Sequence, residues 1–240
     1  MQITYIYHSG YLLEAETCNV IFDFYKDSGN KPGEGIIHQR ILDNPKPLYI
    51  FASHFHPDHF NPEILKWKQQ RDNSLYIFSK DILEHQKATS GDAIYLEKGQ
   101  TYNDDRLQVK AFGSTDVGVS FLLELEEKRI FHAGDLNNWH WKDESTLEEI
   151  AEAEAFYERE LNDVAKEIKE LDLAMFPIDP RLGTDFMKGA IQFVSCIHVG
   201  HIAPMHFGEA YDKIARFDDY ARQANCDYML IRQKGQSITI

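Results

Sequence analysis

The run Ser53-His54-Phe55-His56-Pro57-Asp58-His59 constrains this chain more than any other feature. Four side chains able to bind a metal stand within six residues, directly after the apolar segment Leu48-Tyr49-Ile50-Phe51-Ala52. Such a segment reads as a strand buried on both faces, so the chain leaves the interior close to His54. Residues two apart in extended chain project to the same side, which pairs His54 with His56. A turn at Pro57 lets Asp58 and His59 face a neighbouring point. Imidazole nitrogens and carboxylate oxygens suit a divalent metal, zinc first, with manganese and iron also matched to these donors. The spacing serves two adjacent metals, each needing further ligands from elsewhere.

The remaining sequence supplies a frame for that segment. Residues 2–7, 11–15 and 20–24 alternate with turn signals and predict a meander. Residues 27–35 are rich in glycine and read as a loop. Asn61-Pro62-Glu63 is a helix start, with a capping side chain before a proline at the first helical position. Residues 117–125 and 129–131 form a predicted hairpin. A long helix is expected over 145–171, because Leu147, Ile150, Tyr157, Leu161, Val164, Ile168 and Leu171 mark one stripe. It packs on its own core, or else covers the cleft or joins two subunits of an oligomer. A strand at 173–178, a helix at 184–195, a short strand into Pro204, a helix at 211–224 and two closing strands follow. No repeat or low-complexity linker divides the chain, so residues 1–240 read as a single domain of two sheets flanked by helices.

Three further segments, His8-Ser9-Gly10, Ile130-Phe131-His132-Ala133-Gly134-Asp135 and Pro204-Met205-His206-Phe207-Gly208, follow in an order that matches a known pattern. With them the chain resembles the metallo-β-lactamase superfamily over nearly its whole length. More narrowly, it is similar to the ascorbate-6-phosphate lactonase-like and related metal-dependent hydrolases. The resemblance implies an α/β fold, a four-layer αββα sandwich with metals at one edge between the sheets. It implies that His54 and His56 bind a first metal, that Asp58, His59 and His206 bind a second, and that Asp135 bridges them. A bridging carboxylate offsets the repulsion between two dications and fixes their spacing. His132 is expected along the strand, supporting the site. One departure stands out: the loop Phe112-Gly113-Ser114-Thr115-Asp116-Val117-Gly118 has no histidine where the family usually supplies one to the first metal. Asp116 is the substitute oxygen ligand expected here, or His140 reaches in from Trp139-His140-Trp141. Otherwise one metal remains, on Asp58, His59, Asp135 and His206.

The expected activity is hydrolysis of an ester, lactone or phosphoester of a small molecule by metal-bound hydroxide. Asp58 would orient the nucleophile or shuttle a proton, and His140 would serve as acid for the leaving group. Trp139, Trp141 and Phe207 either wall a substrate pocket or pack the core. The alternative is a non-hydrolytic metal-binding or sensing protein with a degenerate first site; a di-iron oxidoreductase is a third reading. With 25 Lys plus Arg against 39 Asp plus Glu, a net charge of −14 disfavours nucleic acid and anionic membranes. A bound metal can still reverse the local field for an anionic substrate. Three widely spaced cysteines and no export signal set the expectation of a cytoplasmic protein.

Overall fold

A computed structural model describes residues 1–240. One sheet contains β1 (Gln2–Tyr7), β2 (Gly10–Glu14), β3 (Asn19–Phe22), β4 (Leu48–Ala52), β5 (Ser74–Ser79) and β6 (Ile94–Leu96). The other contains β7 (Thr101–Asn103), β8 (Leu107–Phe112), β9 (Ser120–Leu125), β10 (Lys128–His132), β11 (Glu170–Pro177), β12 (His198–Met205) and β13 (Asp227–Tyr228). The last strand, β14 (Ser237–Thr239), returns to pair with β1, so the orders are β14-β1-β2-β3-β4-β5-β6 and β13-β12-β11-β10-β9-β8-β7. Pairing turns from antiparallel to parallel at β3 in one sheet and at β10 in the other.

Side-chain alternation assigns each strand two jobs. In β4, Tyr49 and Phe51 join the large core, while Leu48, Ile50 and Ala52 join a smaller one with Ile37, Ile41, Ile64, Trp67 and Ile82. That smaller core lies under the helical turns Ile37–Ile41 and Pro62–Gln69 and under α1 (Lys80–Glu84). Phe51 meets Phe121 of the other sheet edge-on at 5.2 Å, which seals the two sheets. On the far side, Phe193 of α3 (Lys188–Cys196) stacks on Phe131 and packs on Phe176. The layers are helix, sheet, sheet, helix, as expected. Truncating Phe51 to alanine removes contacts in the middle of this stack and is expected to cost about 3–5 kcal/mol.

The long helix is shorter than its periodicity suggests. It runs as α2 (Leu147–Glu167), opened by a reciprocal Thr146–Glu149 capping box. Ile168 leaves helical geometry, and Leu171 already lies in β11, pairing with Val199. Only the second half of the stripe is deeply buried, through Tyr157, Leu161 and Val164; Leu147 is 88% exposed. The 3.6-residue period continued by chance into a strand whose residues are apolar for a different reason. The expected helix over 184–195 begins later, at Lys188. The one over 211–224 is interrupted, as α4 (Tyr211–Ile214), a tight turn at Ala215–Phe217 and α5 (Asp218–Gln223).

Candidate metal centre

Loops at one end of the sheets carry the polar residues into a common space. His54 follows β4 directly, and Asp135 follows β10 across the gap between sheets. Two glycines make this approach feasible. At Gly118 (φ +76°) a Cβ would fall 2.1 Å from the Ser53 carbonyl oxygen, and at Gly134 (φ +53°) it would fall 2.8 Å from the Ser53 Cβ. Both positions therefore exclude a side chain. The Val119 amide then donates to the Ser53 carbonyl at 3.0 Å, tying the sheets beside the histidines.

The side chains fall into two groups, and within each the ligand atoms lie within 4.8 Å of one another. The first is His54, His56, Asp116 and Asp135; the second is His8, Asp58, His59 and His206. Asp135 faces both. Its Oδ2 is 3.6 Å from His54 Nε2, while its Oδ1 is 3.2 Å from His59 Nε2 and 3.5 Å from His206 Nε2. Asp116 Oδ2 lies 3.4 Å from His56 Nδ1, on the side where the sequence lacks a histidine. Asp58 Oδ2 is 3.2 Å from His8 Nε2 and 3.9 Å from His206 Nε2.

Two buried carboxylates stand behind the second group. Asp23 accepts a hydrogen bond from His59 Nδ1 at 2.7 Å and is itself fixed by the amide and hydroxyl of Ser53, at 2.7 and 2.6 Å. Asp179 accepts from His206 Nδ1 at 2.9 Å and is held by Arg181. Each carboxylate fixes the ring tautomer so that the Nε2 lone pair points inward, an arrangement typical of metal-ligating histidine. His54 Nδ1 meets only the Ser53 hydroxyl, at 3.0 Å. His8, Asp23 and His206 adopt left-handed backbone conformations, with φ of +58°, +43° and +64°.

Nε2 of His8, His54, His59 and His206, together with Asp135 Oδ1, is buried without a hydrogen-bond partner. Five such atoms converging in one place would be costly unless a cation completes them. The electrostatics agree. Burial alone would push the His59 imidazole down, but the Asp135 and Asp23 carboxylates outweigh it and hold its pKa well above the ordinary range. Burial and the His59 charge push His54 down to about 3. Burial opposes ionisation of Asp135 and Asp58, yet the surrounding imidazoles hold both below the usual carboxylate range. Burial and the Asp135 charge raise Asp116. Two ionised carboxylates thus stand among imidazoles that burial keeps from all being charged, and these nitrogen and oxygen donors fit divalent metal.

Of the residues expected from sequence, His54, His56, Asp58, His59, Asp116, Asp135 and His206 are brought together. His140 is not. It is buried, Nδ1 accepts from the Lys142 amide at 3.0 Å, and Nε2 faces the Asp185 carbonyl at 3.3 Å. With both nitrogens committed to backbone, it has none left for a metal or a leaving group. Instead it ties down a turn in which Trp141 has a φ of +40°. His132 points its Nε2 at the Ser9 carbonyl and stacks on Phe22. Trp139 donates to the Asp135 carbonyl at 2.8 Å, and its ring lies 5.4 Å from His206. His8, Asp23 and Asp179 had been given no role from sequence. A shared signal exists, since Asp23, Asp135 and Asp179 all stand just past the end of an apolar strand.

The Beta-lactamase superfamily domain model matches residues 2–157. A UPF0173 metal-dependent hydrolase of Desulforamulus reducens is 24% identical, over 100% of this chain and 100% of its own length. Another, of Korarchaeum cryptofilum, is 23% identical over 86% of this chain and 83% of its own. Among solved structures, Igni18, a metallo hydrolase from Ignicoccus hospitalis, superimposes with a TM-score of 0.70 at 13% identity, covering 100% of this chain and 97% of that one. The fold, the order of the motifs and the match over residues 2–157 together establish that the chain belongs to the metallo-β-lactamase superfamily.

Proposed function

We propose that this protein is a metal-dependent hydrolase that cleaves an ester, lactone or phosphoester bond in a small molecule, using two divalent ions. The observation that carries the reading is the convergence of unpartnered buried nitrogens around Asp135. His54, His56 and Asp116 would hold one ion and His8, Asp58, His59 and His206 the other, with Asp135 available to both. Zinc is the proposed metal, with iron and manganese as the alternatives the same donors accept. Bound metal supplies Lewis acidity, lowering the pKa of water to about 7 and polarising the bond to be broken.

The chain's own residues do the rest. Asp23 and Asp179 hold His59 and His206 in one tautomer and orientation. Asp58 is ionised at neutral pH and its side chain is 36% exposed, so it can accept a hydrogen bond from a nucleophile and orient it at the cleft. Asp116, 3.4 Å from His56, supports the hydrolytic reading over the non-hydrolytic one, which rests on the missing loop histidine. Three free cysteines support a reducing, cytoplasmic setting.

The test joins metal content by elemental analysis to turnover on an ester, lactone and phosphodiester panel. Near two ions per chain, with turnover abolished by chelation and restored by metal, is the expected result. Two bound ions with no turnover on any member would favour a sensing role, and no bound metal after reconstitution would end the proposal.

A further inference from the structure

The mouth of the cleft beside the second ligand group is richer in cations than the chain as a whole. A cavity of about 630 Å³ opens there, and its lining includes Tyr7, Tyr25, Asp58, Arg181, His206 and Lys213. Tyr7 and Tyr25 stack at 5.9 Å, with Lys26 4.5 Å from the Tyr25 ring and Lys234 5.4 Å from the Tyr7 ring. Two cations, Arg181 and Lys213, thus line the opening, and Lys26 and Lys234 lie against its tyrosine rings, in a chain of net charge −14. The acidic groups nearby are mostly engaged. Asp179 is buried against Arg181 and His206, Asp58 belongs to the ligand group, and Glu209 lies 3.8 Å from Lys234.

Arg181 is pinned rather than loose. Its Nε and Nη2 donate to Asp179 at 2.9 and 2.6 Å and Nη2 also lies 2.9 Å from His206 Nδ1, while its Nη1 donates to nothing within the chain, and the side chain is 61% exposed. Supporting Asp179 and His206 needs only the first two nitrogens. Lys213 forms no ion pair or side-chain hydrogen bond within the chain, and so contributes nothing evident to the fold. A guanidinium held in one orientation with a free donor suits a planar or tetrahedral oxyanion, with a nearby ammonium as a second point of charge.

We propose that this cleft takes a small-molecule substrate bearing an anionic group, carboxylate or phosphate, remote from the scissile bond and recognised by Arg181 and Lys213. Tyr7 and Tyr25 flank the part of the molecule that joins the two. The proposal rests on the hydrolase reading above, and its test separates the two.

The metal-loaded 240-residue chain is assayed on aryl esters identical except for a distal neutral, carboxylate or phosphate group. Sulfate binding is measured in parallel by calorimetry, and metal content is checked in every variant. An anionic arm is expected to be preferred, and the arm with the larger preference identifies the group. Lys213→Gln is expected to reduce that preference by about tenfold, mainly through KM, and to weaken sulfate binding. Arg181→Gln is expected to reduce the preference as well, and because it also removes the support of Asp179 and His206 it is compared only at unchanged metal content. Equal turnover of all three esters, or a preference untouched by both substitutions at unchanged metal content, would overturn the anion site and leave the hydrolase standing. If no ester is turned over, the hydrolase reading fails for this bond class and calorimetry decides alone. Sulfate binding weakened by Lys213→Gln supports the anion site, and binding that is absent or insensitive overturns it.

Discussion

The two ligand groups share a carboxylate but are built to different standards. In the second, His59 and His206 are buried and each leans on a buried carboxylate that is itself hydrogen-bonded. In the first, the side chains of His56 and Asp116 are 36% and 44% exposed, and His54 has only a serine hydroxyl behind it. Ligands held from behind give up less freedom on binding an ion, so the second group is the preorganised one. The first is open to solvent and depends on side chains that the ion itself must order.

The severest way to break this contrast is Asp135→Ala, which removes the group common to both halves. Metal content is expected to fall below one ion per chain and turnover to background, as elemental analysis and the ester panel would record. Next, Asp116→Ala should release one ion and leave the other; loss of both, or of neither, would show that the groups are not separable in the way their geometry suggests. Smaller still, Asp179→Asn and Asp23→Asn should each weaken metal affinity by about 10–100-fold while the stoichiometry at saturating metal stays the same. Competition with a graded chelator would measure this, and an effect confined to the first ion would invert the comparison.

The smallest expected effect belongs to a histidine outside both groups. His38 lies between Asp27 and Glu63 and fixes the loop of residues 27–35 against the turn that follows the histidine run. Burial opposes its protonation, but the two carboxylates prevail and raise its pKa. A histidine with a raised folded-state pKa adds stability fully present below the unfolded value of about 6.5 and lost as pH rises through the folded one. The melting temperature should therefore decline over that window, and less steeply in His38→Gln. An identical slope in both proteins would assign the pH dependence to the ligand groups instead.

How much of this was legible in the sequence follows the same division. The histidine run was readable because its ligands are contiguous and the strand before them is plain. Asp135 and His206 were placed through the resemblance, and Asp116 by asking what could replace a histidine. The second group's fourth ligand and its supports were not readable: His8, and the Asp23 and Asp179 that stand behind His59 and His206, lie far apart in sequence and meet only when the sheets close. His140 misled because its neighbours, two tryptophans and an acidic stretch, gave no hint that backbone groups would occupy both its nitrogens. Among the helices, α2 was overextended for a related reason, since an apolar strand can continue a helical period without sharing its structure.

The left-handed backbone at His8, Asp23 and His206 has a consequence for how this protein can change. For residues of this kind that conformation costs on the order of 1 kcal/mol each, a cost that glycine avoids. Glycine would relieve that cost, but at these buried positions it would also leave a cavity and unpaired neighbours, and would remove two imidazoles of the centre and the carboxylate behind a third. Backbone strain and the centre's polar groups are thus carried by the same three residues, so the surrounding fold bears a standing cost to keep those side chains where they are.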